Sequence, residues 1–282
     1  MKTERRQFLR YLAGITAGGV LGGCATLKPS ERLNFVLVHA SWHGAWCWDK
    51  VVPLLRSAGH QVTATDLPGH GADRTPADQI RLATYVQHVV GLLDAQGGPV
   101  ILVGHSSSGL VVSQVAEERP DRIRTLVFLS AFLVADGEAW RGGQDPGSKV
   151  GPLFRMEFRP GTKIPLQSRI DVSNPDAVKL AFYNDCEEND ARAAIARLVP
   201  EPAAPMVEKL RLSADRFGRV DKVYILCSRD NAVSPPMQRN YIAKWPMRKV
   251  ITLDSGHSPF LSMPARLSEV LTSGLGDSAS AS

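Results

Sequence analysis

Cysteine is scarce in this 282-residue chain, which has four: Cys24, Cys47, Cys186 and Cys227. Their spacing matches no metal-binding pattern, and so thin a supply excludes a disulfide-stapled scaffold. No stretch of 18 apolar residues offers a membrane-spanning helix. Internal repeats are also missing, which excludes a solenoid. Charge of one sign is in short supply too. The formal net charge is +5, but residues 1–23 contribute +3 of it, through Lys2, Arg5, Arg6 and Arg10 against Glu4. The remaining +2 gives no basis for binding nucleic acid.

What is present begins with an address. Arg5-Arg6-Gln7-Phe8-Leu9-Arg10 has the form of a twin-arginine export signal. Residues 11–23 are weakly hydrophobic and glycine-rich. As a helix they would reach about 20 Å, short of a bilayer core of about 30 Å. They end in Leu21-Gly22-Gly23-Cys24, which resembles a bacterial lipoprotein processing box. The expectation is a signal over 1–23 and a linker over 24–32 behind a lipidated Cys24. The product would be periplasmic, or membrane-anchored through that lipid alone. An ordinary cleaved signal with an incidental cysteine is the competing reading. In an oxidising periplasm Cys47 and Cys186 would be free to pair, although spacing does not establish the bond. Cys227 sits in the apolar run Val223-Tyr224-Ile225-Leu226-Cys227 and reads as a buried strand residue.

Short β-rich apolar runs recur at 35–39, 61–65, 100–104, 125–130, 223–227 and 250–253. They lack polar alternation, which suits strands buried on both faces of a parallel sheet. Helical spacing of apolar residues appears between them at 51–58, 82–93 and 110–118. The alternation predicts one doubly wound, mainly parallel α/β sheet, with its core over 33–134 and 213–274. The regularity breaks over 135–212, where helical patterns survive at 176–183 and 189–198. That insertion is expected to be a small, mainly helical cap placed before the last two strands. The small polar tail 275–282 is expected to be disordered.

Chemistry concentrates in Val100-Ile101-Leu102-Val103-Gly104-His105-Ser106-Ser107-Ser108-Gly109. A buried strand running through a small-residue turn into a helix is the setting of a nucleophile elbow, with Ser106 exposed at the bend. Ser108 departs from the G-x-S-x-G spacing, with Gly109 one residue late. A serine-rich helix cap without catalytic role is the plain alternative. A serine hydroxyl needs a base, and the base needs a carboxylate to orient it. His257, after the last strand run, supplies the first; Asp230, after the run ending at Cys227, supplies the second. Asp136 and Asp254 are rival acids. The backbone N–H groups of Ser107 and Ser41 are the expected oxyanion hole, with Ala40 or Trp42 as near alternatives to Ser41. His39 and His43, four residues apart, lack a third ligand, so no metal is expected. Trp42, Trp46 and Trp48 either line the pocket mouth or pack on the sheet.

Phe35-Val36-Leu37-Val38-His39, His43-Gly44-Ala45-Trp46-Cys47-Trp48, Val51-Val52-Pro53-Leu54-Leu55, Val100–Ser106, Lys222–Asp230 and Gly256-His257 together resemble the plant methylesterase and hydroxynitrile lyase branch of the α/β-hydrolases. The resemblance implies a Ser-His-Asp triad, a cap over the site and cofactor-free chemistry on a small ester or lactone. Lyase members carry a threonine where this chain has Ala40, and a lysine where it has Ser258. That difference favours ester hydrolysis over cyanohydrin cleavage. A non-catalytic ligand-binding protein of the same fold is the third reading. Cap residues Arg155, Arg159, Asp185, Glu187 and Glu188 read as solvated surface.

Overall fold

The computed structural model describes residues 31–140 and 144–275. The expected signal over 1–23, the lipidation of Cys24, the linker up to residue 30 and the tail from 276 lie outside these residues.

Each apolar run becomes a strand. In chain order the first elements are β1 (Asn34–Val38), α1 (Val51–Ser57), β2 (Gln61–Thr65), α2 (Leu82–Asp94), β3 (Val100–His105), α3 (Ser108–Glu118) and β4 (Ile123–Leu129). The insertion contributes β5 (Phe154–Phe158), β6 (Pro165–Ile170), α4 (Pro175–Phe182), α5 (Glu188–Ile195), β7 (Glu201–Pro202) and α6 (Ala204–Val207). The chain then returns with β8 (Lys222–Cys227), α7 (Pro235–Ile242), β9 (Lys249–Leu253), α8 (Pro259–Ser262) and α9 (Pro264–Thr272).

Six strands form one parallel sheet in the order β2-β1-β3-β4-β8-β9. β3 and β8 are buried at every position, which is why their sequences are continuous apolar runs. Successive residues of a strand point to opposite faces. Phe35, Leu37, Val103 and Val127 accordingly pack under α1 and α9, and Val36, Val38, Leu102 and Leu126 under α2, α3 and α7. Helices on both faces make the sheet doubly wound.

The cap is not only helical. β5, β6 and β7 form a three-stranded antiparallel sheet, joined by α4 and α5 around Val178, Phe182, Ala191 and Ile195. Cys47 belongs to the sheet core and Cys186 to the cap core, and both are buried free thiols, as is Cys227. The Cys47–Cys186 pairing is therefore not made.

Candidate active site

In a parallel sheet the loops at the carboxyl ends of the strands gather at one edge, where such folds place their ligands. Ser41 follows β1, Ser106 follows β3, Asp230 follows β8 and His257 follows β9. Between β3 and α3 only Ser106 and Ser107 turn the chain. Ser106 takes φ +53°, in the left-handed region that most side chains avoid. Its backbone is fastened on both sides: its N–H donates to Leu129 O at 3.1 Å, and its carbonyl accepts from Phe132 N–H at 2.8 Å. A Cβ on Gly104 would meet Val112 Cγ2 at 2.6 Å, and one on Gly109 would meet Phe132 O at 2.1 Å. The late glycine is thus the one at which the backbones approach most closely. Ser108 fits because its Oγ shares its one proton between His105 O at 2.8 Å and Val38 O at 3.1 Å. Ser106 is 8% exposed, and among the described residues its hydroxyl makes no hydrogen bond.

Asp230 and His257 meet. His257 Nδ1–H donates to Asp230 Oδ2 at 2.7 Å, with the histidine 1% and the aspartate 3% exposed. This fixes the tautomer and leaves Nε2 as the basic nitrogen. The carboxylate has further donors around it: Ala232 N–H at 2.7 Å, Val233 N–H at 2.9 Å, Gln238 Nε2 at 3.4 Å and the Ser130 hydroxyl. The rivals are occupied elsewhere. Asp136 accepts from Leu212 N–H at 2.9 Å, and the Asp254 side chain, 83% exposed, pairs with Arg229.

His257 is held by its neighbours on both the core and the cap. His105 Nε2–H donates to His257 O at 2.9 Å. The ring of Phe182, from α4, lies 6.0 Å from that of His257. The Asp185 carboxylate accepts from Gly256 N–H at 2.7 Å. Asp185 is therefore not solvated surface: its side chain is 7% exposed, and it steadies the loop of His257.

The loop after β1 carries the expected oxyanion donor. Ser41 N–H is engaged, donating to Ser107 Oγ at 2.6 Å. The next residue, Trp42, has φ +64°. The cap grips it at three points: Val199 N–H donates to its carbonyl at 2.9 Å, its own N–H donates to Glu201 Oε2 at 3.3 Å, and its indole N–H donates to Ser168 Oγ at 3.2 Å. Trp42, Ser106 and Ser130 are the three non-glycine residues in the left-handed region among the described residues, and all three lie at this site. Such strain persists only where the surroundings over-determine it. Trp46 stacks on His43, whereas Trp48 is buried against Phe260.

The loop histidines are spent on structure. His39 Nδ1–H donates to Ala40 O at 2.8 Å while Nε2 accepts from Leu67 N–H at 3.0 Å. His43 donates to Ser41 O at 2.8 Å and accepts from Tyr183 Oη at 2.9 Å. Burial drives His39 well below the ordinary imidazole range and His43 down to about 4, so both are neutral. With both ring nitrogens used, neither is free to ligate. No group of three His, Cys, Asp or Glu among the described residues is placed to hold a metal.

One buried pair escaped the sequence reading. Glu201, from β7, accepts from His70 Nε2 at 3.0 Å and from Tyr85 Oη at 3.1 Å. Burial opposes the charged imidazole, but the Glu201 carboxylate outweighs it and raises the pKa of His70. A raised folded-state value means the pair stabilises fully below the unfolded imidazole value of about 6.5. That stability is lost as pH rises through the folded value. Glu201→Gln should therefore cost about 3 kcal/mol at pH 6, or roughly 6–12 °C in Tm, and clearly less at pH 9. Thermal melts of both proteins at the two pH values check this; a pH-independent difference contradicts it.

An alpha/beta hydrolase family profile matches residues 35–270. The chain is 34% identical over 255 residues to the chloroplastic protein numbered 11 in the methylesterase series of Arabidopsis thaliana. The match covers 87% of this chain and 64% of that protein, so the chain spans less than two thirds of that relative's length. It is 32% identical over 259 residues to methylesterase 7 of Arabidopsis thaliana, covering 87% of this chain and 97% of that one. Among solved structures, a methylesterase from Arabidopsis superposes with a TM-score of 0.74 at 28% identity, over 86% of this chain and 98% of that one.

Proposed function

The chain belongs to the alpha/beta hydrolase family, and from that premise we propose that it hydrolyses small carboxylic esters or lactones through an acyl-enzyme on Ser106. The observation that supports this best is the buried His257–Asp230 pair, bonded at 2.7 Å with Nε2 left free. His105, the residue before Ser106, fastens the backbone of that histidine.

In this reading Ser106 Oγ attacks the ester carbonyl carbon as its proton passes to His257 Nε2. Asp230 holds the imidazolium through Nδ1–H and stabilises its charge. The N–H groups of Ser107 and Ser41 receive the negative oxygen. Collapse of the tetrahedral intermediate expels the alkoxide, which takes the proton from Nε2. His257 then deprotonates a water that attacks the acyl-enzyme, and the acid leaves with Ser106 restored. Every step uses only protein groups and water. Cyanohydrin cleavage by the same residues would call for a cation beside His257 to hold departing cyanide, and Ser258 stands there instead.

Methyl esters are the first class to try, because the Arabidopsis relatives are named methylesterases. In ¹⁸O-labelled water each turnover should place one ¹⁸O atom in the released acid and none in the methanol. Failure to form acid across an ester and lactone panel would sink the proposal.

A further inference from the structure

We propose that Ser107 gates the oxyanion hole with its own hydroxyl. The inference rests on the ester-hydrolase reading above and adds a positioning role for a side chain that reading does not use.

An oxyanion donor works when its N–H points, unoccupied, at the place where negative charge will develop. Ser107 N–H meets this condition, since no acceptor takes it among the described residues. Ser41 N–H does not. It donates to Ser107 Oγ at 2.6 Å, and Ser41 Oγ donates to the same oxygen at 2.7 Å. Ser107 Oγ therefore occupies the acceptor position that a substrate oxygen would need. In the resting site half of the hole is open and half is filled by the protein itself.

The hydroxyl has somewhere to go. A half-open space of about 10 Å³ borders Ser41, Ser107, Tyr85, Glu201 and Met206. That is close to the room one water-sized group requires. Turning χ1 to another staggered well would carry the hydroxyl away from Ser41 N–H. Glu201 borders this space, and its Oε1 receives only the Tyr85 hydroxyl, so it can accept from the turned group. Ser41 Oγ keeps a second contact of its own, with Met206 Sδ at 3.6 Å.

The chemistry decides when the exchange occurs. A neutral ester carbonyl is no better an acceptor than a hydroxyl already receiving two hydrogen bonds. An oxyanion is far better, because charge-assisted hydrogen bonds are roughly twice as strong as neutral ones. The hydroxyl is displaced as charge develops, so its cost falls on kcat and not on KM.

Ser107→Ala should raise kcat by about 3- to 10-fold, the worth of one hydrogen bond that no longer has to be broken, with KM within about twofold. The Ki of a trifluoromethyl ketone, which forms an anionic tetrahedral adduct, should fall by the same factor. Ser41→Ala keeps the N–H but removes one of the two donors to Ser107 Oγ, and should give a smaller rise in the same direction. This second variant preserves the test if Ser107→Ala fails to fold. An unchanged kcat in a folded Ser107→Ala protein overturns the gate. A lowered kcat also overturns it, and makes the hydroxyl a donor to the oxyanion. A wild-type protein that neither hydrolyses esters nor reacts with a fluorophosphonate fails the underlying reading instead, so the two failures are distinguishable.

Discussion

Ser106→Ala removes ester turnover, with kcat falling by about 10⁶-fold, while the melting temperature stays at the wild-type value. The two halves of this expectation have separate physical sources. Activity collapses because neither neighbouring serine is placed to form the acyl bond in its stead. Ser107 Oγ and Ser108 Oγ both lie close in sequence, but each is committed to hydrogen bonds with the protein. Stability is spared because the Ser106 hydroxyl makes no hydrogen bond among the described residues. The backbone contacts that hold φ at +53° come from Leu129 and Phe132, and these survive the substitution. Steady-state kinetics alongside a thermal melt reads both halves. Loss of folding together with activity would mean that the elbow depends on the hydroxyl.

Asp230→Asn should lower kcat by about 10⁴-fold, and here stability falls as well. An amide at this position presents N–H where His257 Nδ1–H now donates, which favours the tautomer with its proton on Nε2. The base is then blocked. Donors from Ser130, Ala232, Val233, Gln238 and His257 all converge on the carboxylate, which is 3% exposed. An amide oxygen has only two lone pairs to meet them, and each buried donor left without a partner costs about 1–3 kcal/mol. Asp136→Asn and Asp254→Asn change neither property by comparable amounts, because those carboxylates serve Leu212 and Arg229. A kcat for Asp230→Asn within tenfold of wild type would remove Asp230 from the mechanism.

The parallel sheet was legible because its strands are buried on both faces and so appear as continuous apolar runs. Expected and observed strand ends differ by at most two residues, as at β4, which begins at Ile123 although its apolar run starts at 125. The elbow was legible for a related reason: close approach of strand and helix demands small residues, and the sequence has them in a row. The acid was the harder choice. Asp136, Asp230 and Asp254 each follow a strand run, and only packing shows that Asp230 faces inward.

The cap was less legible. Its strands β5 and β6 are half-exposed and carry Arg155, Glu157 and Arg169, so they show no run of buried apolar residues. β7 is two residues long and ends in proline. Glu201 lies 131 positions from His70 and 116 from Tyr85, and nothing local marks them as partners. Asp185 read as solvated for the same reason, since its partner Gly256 lies 71 positions away. The engagement of Ser41 N–H by Ser107 is a further case: the sequence suggested both donors, but it could not show that one side chain fills the place between them.

The proposed mechanism requires an activated nucleophile at Ser106. The most direct test is fluorophosphonate labelling of the purified protein followed by peptide mass mapping. A stoichiometric adduct is expected on the peptide containing Ser106, absent from Ser106→Ala and strongly reduced in His257→Ala. A folded wild-type protein that takes no label, or takes it on another residue, would mean that Ser106 is not activated and would favour a binding protein built on a hydrolase fold.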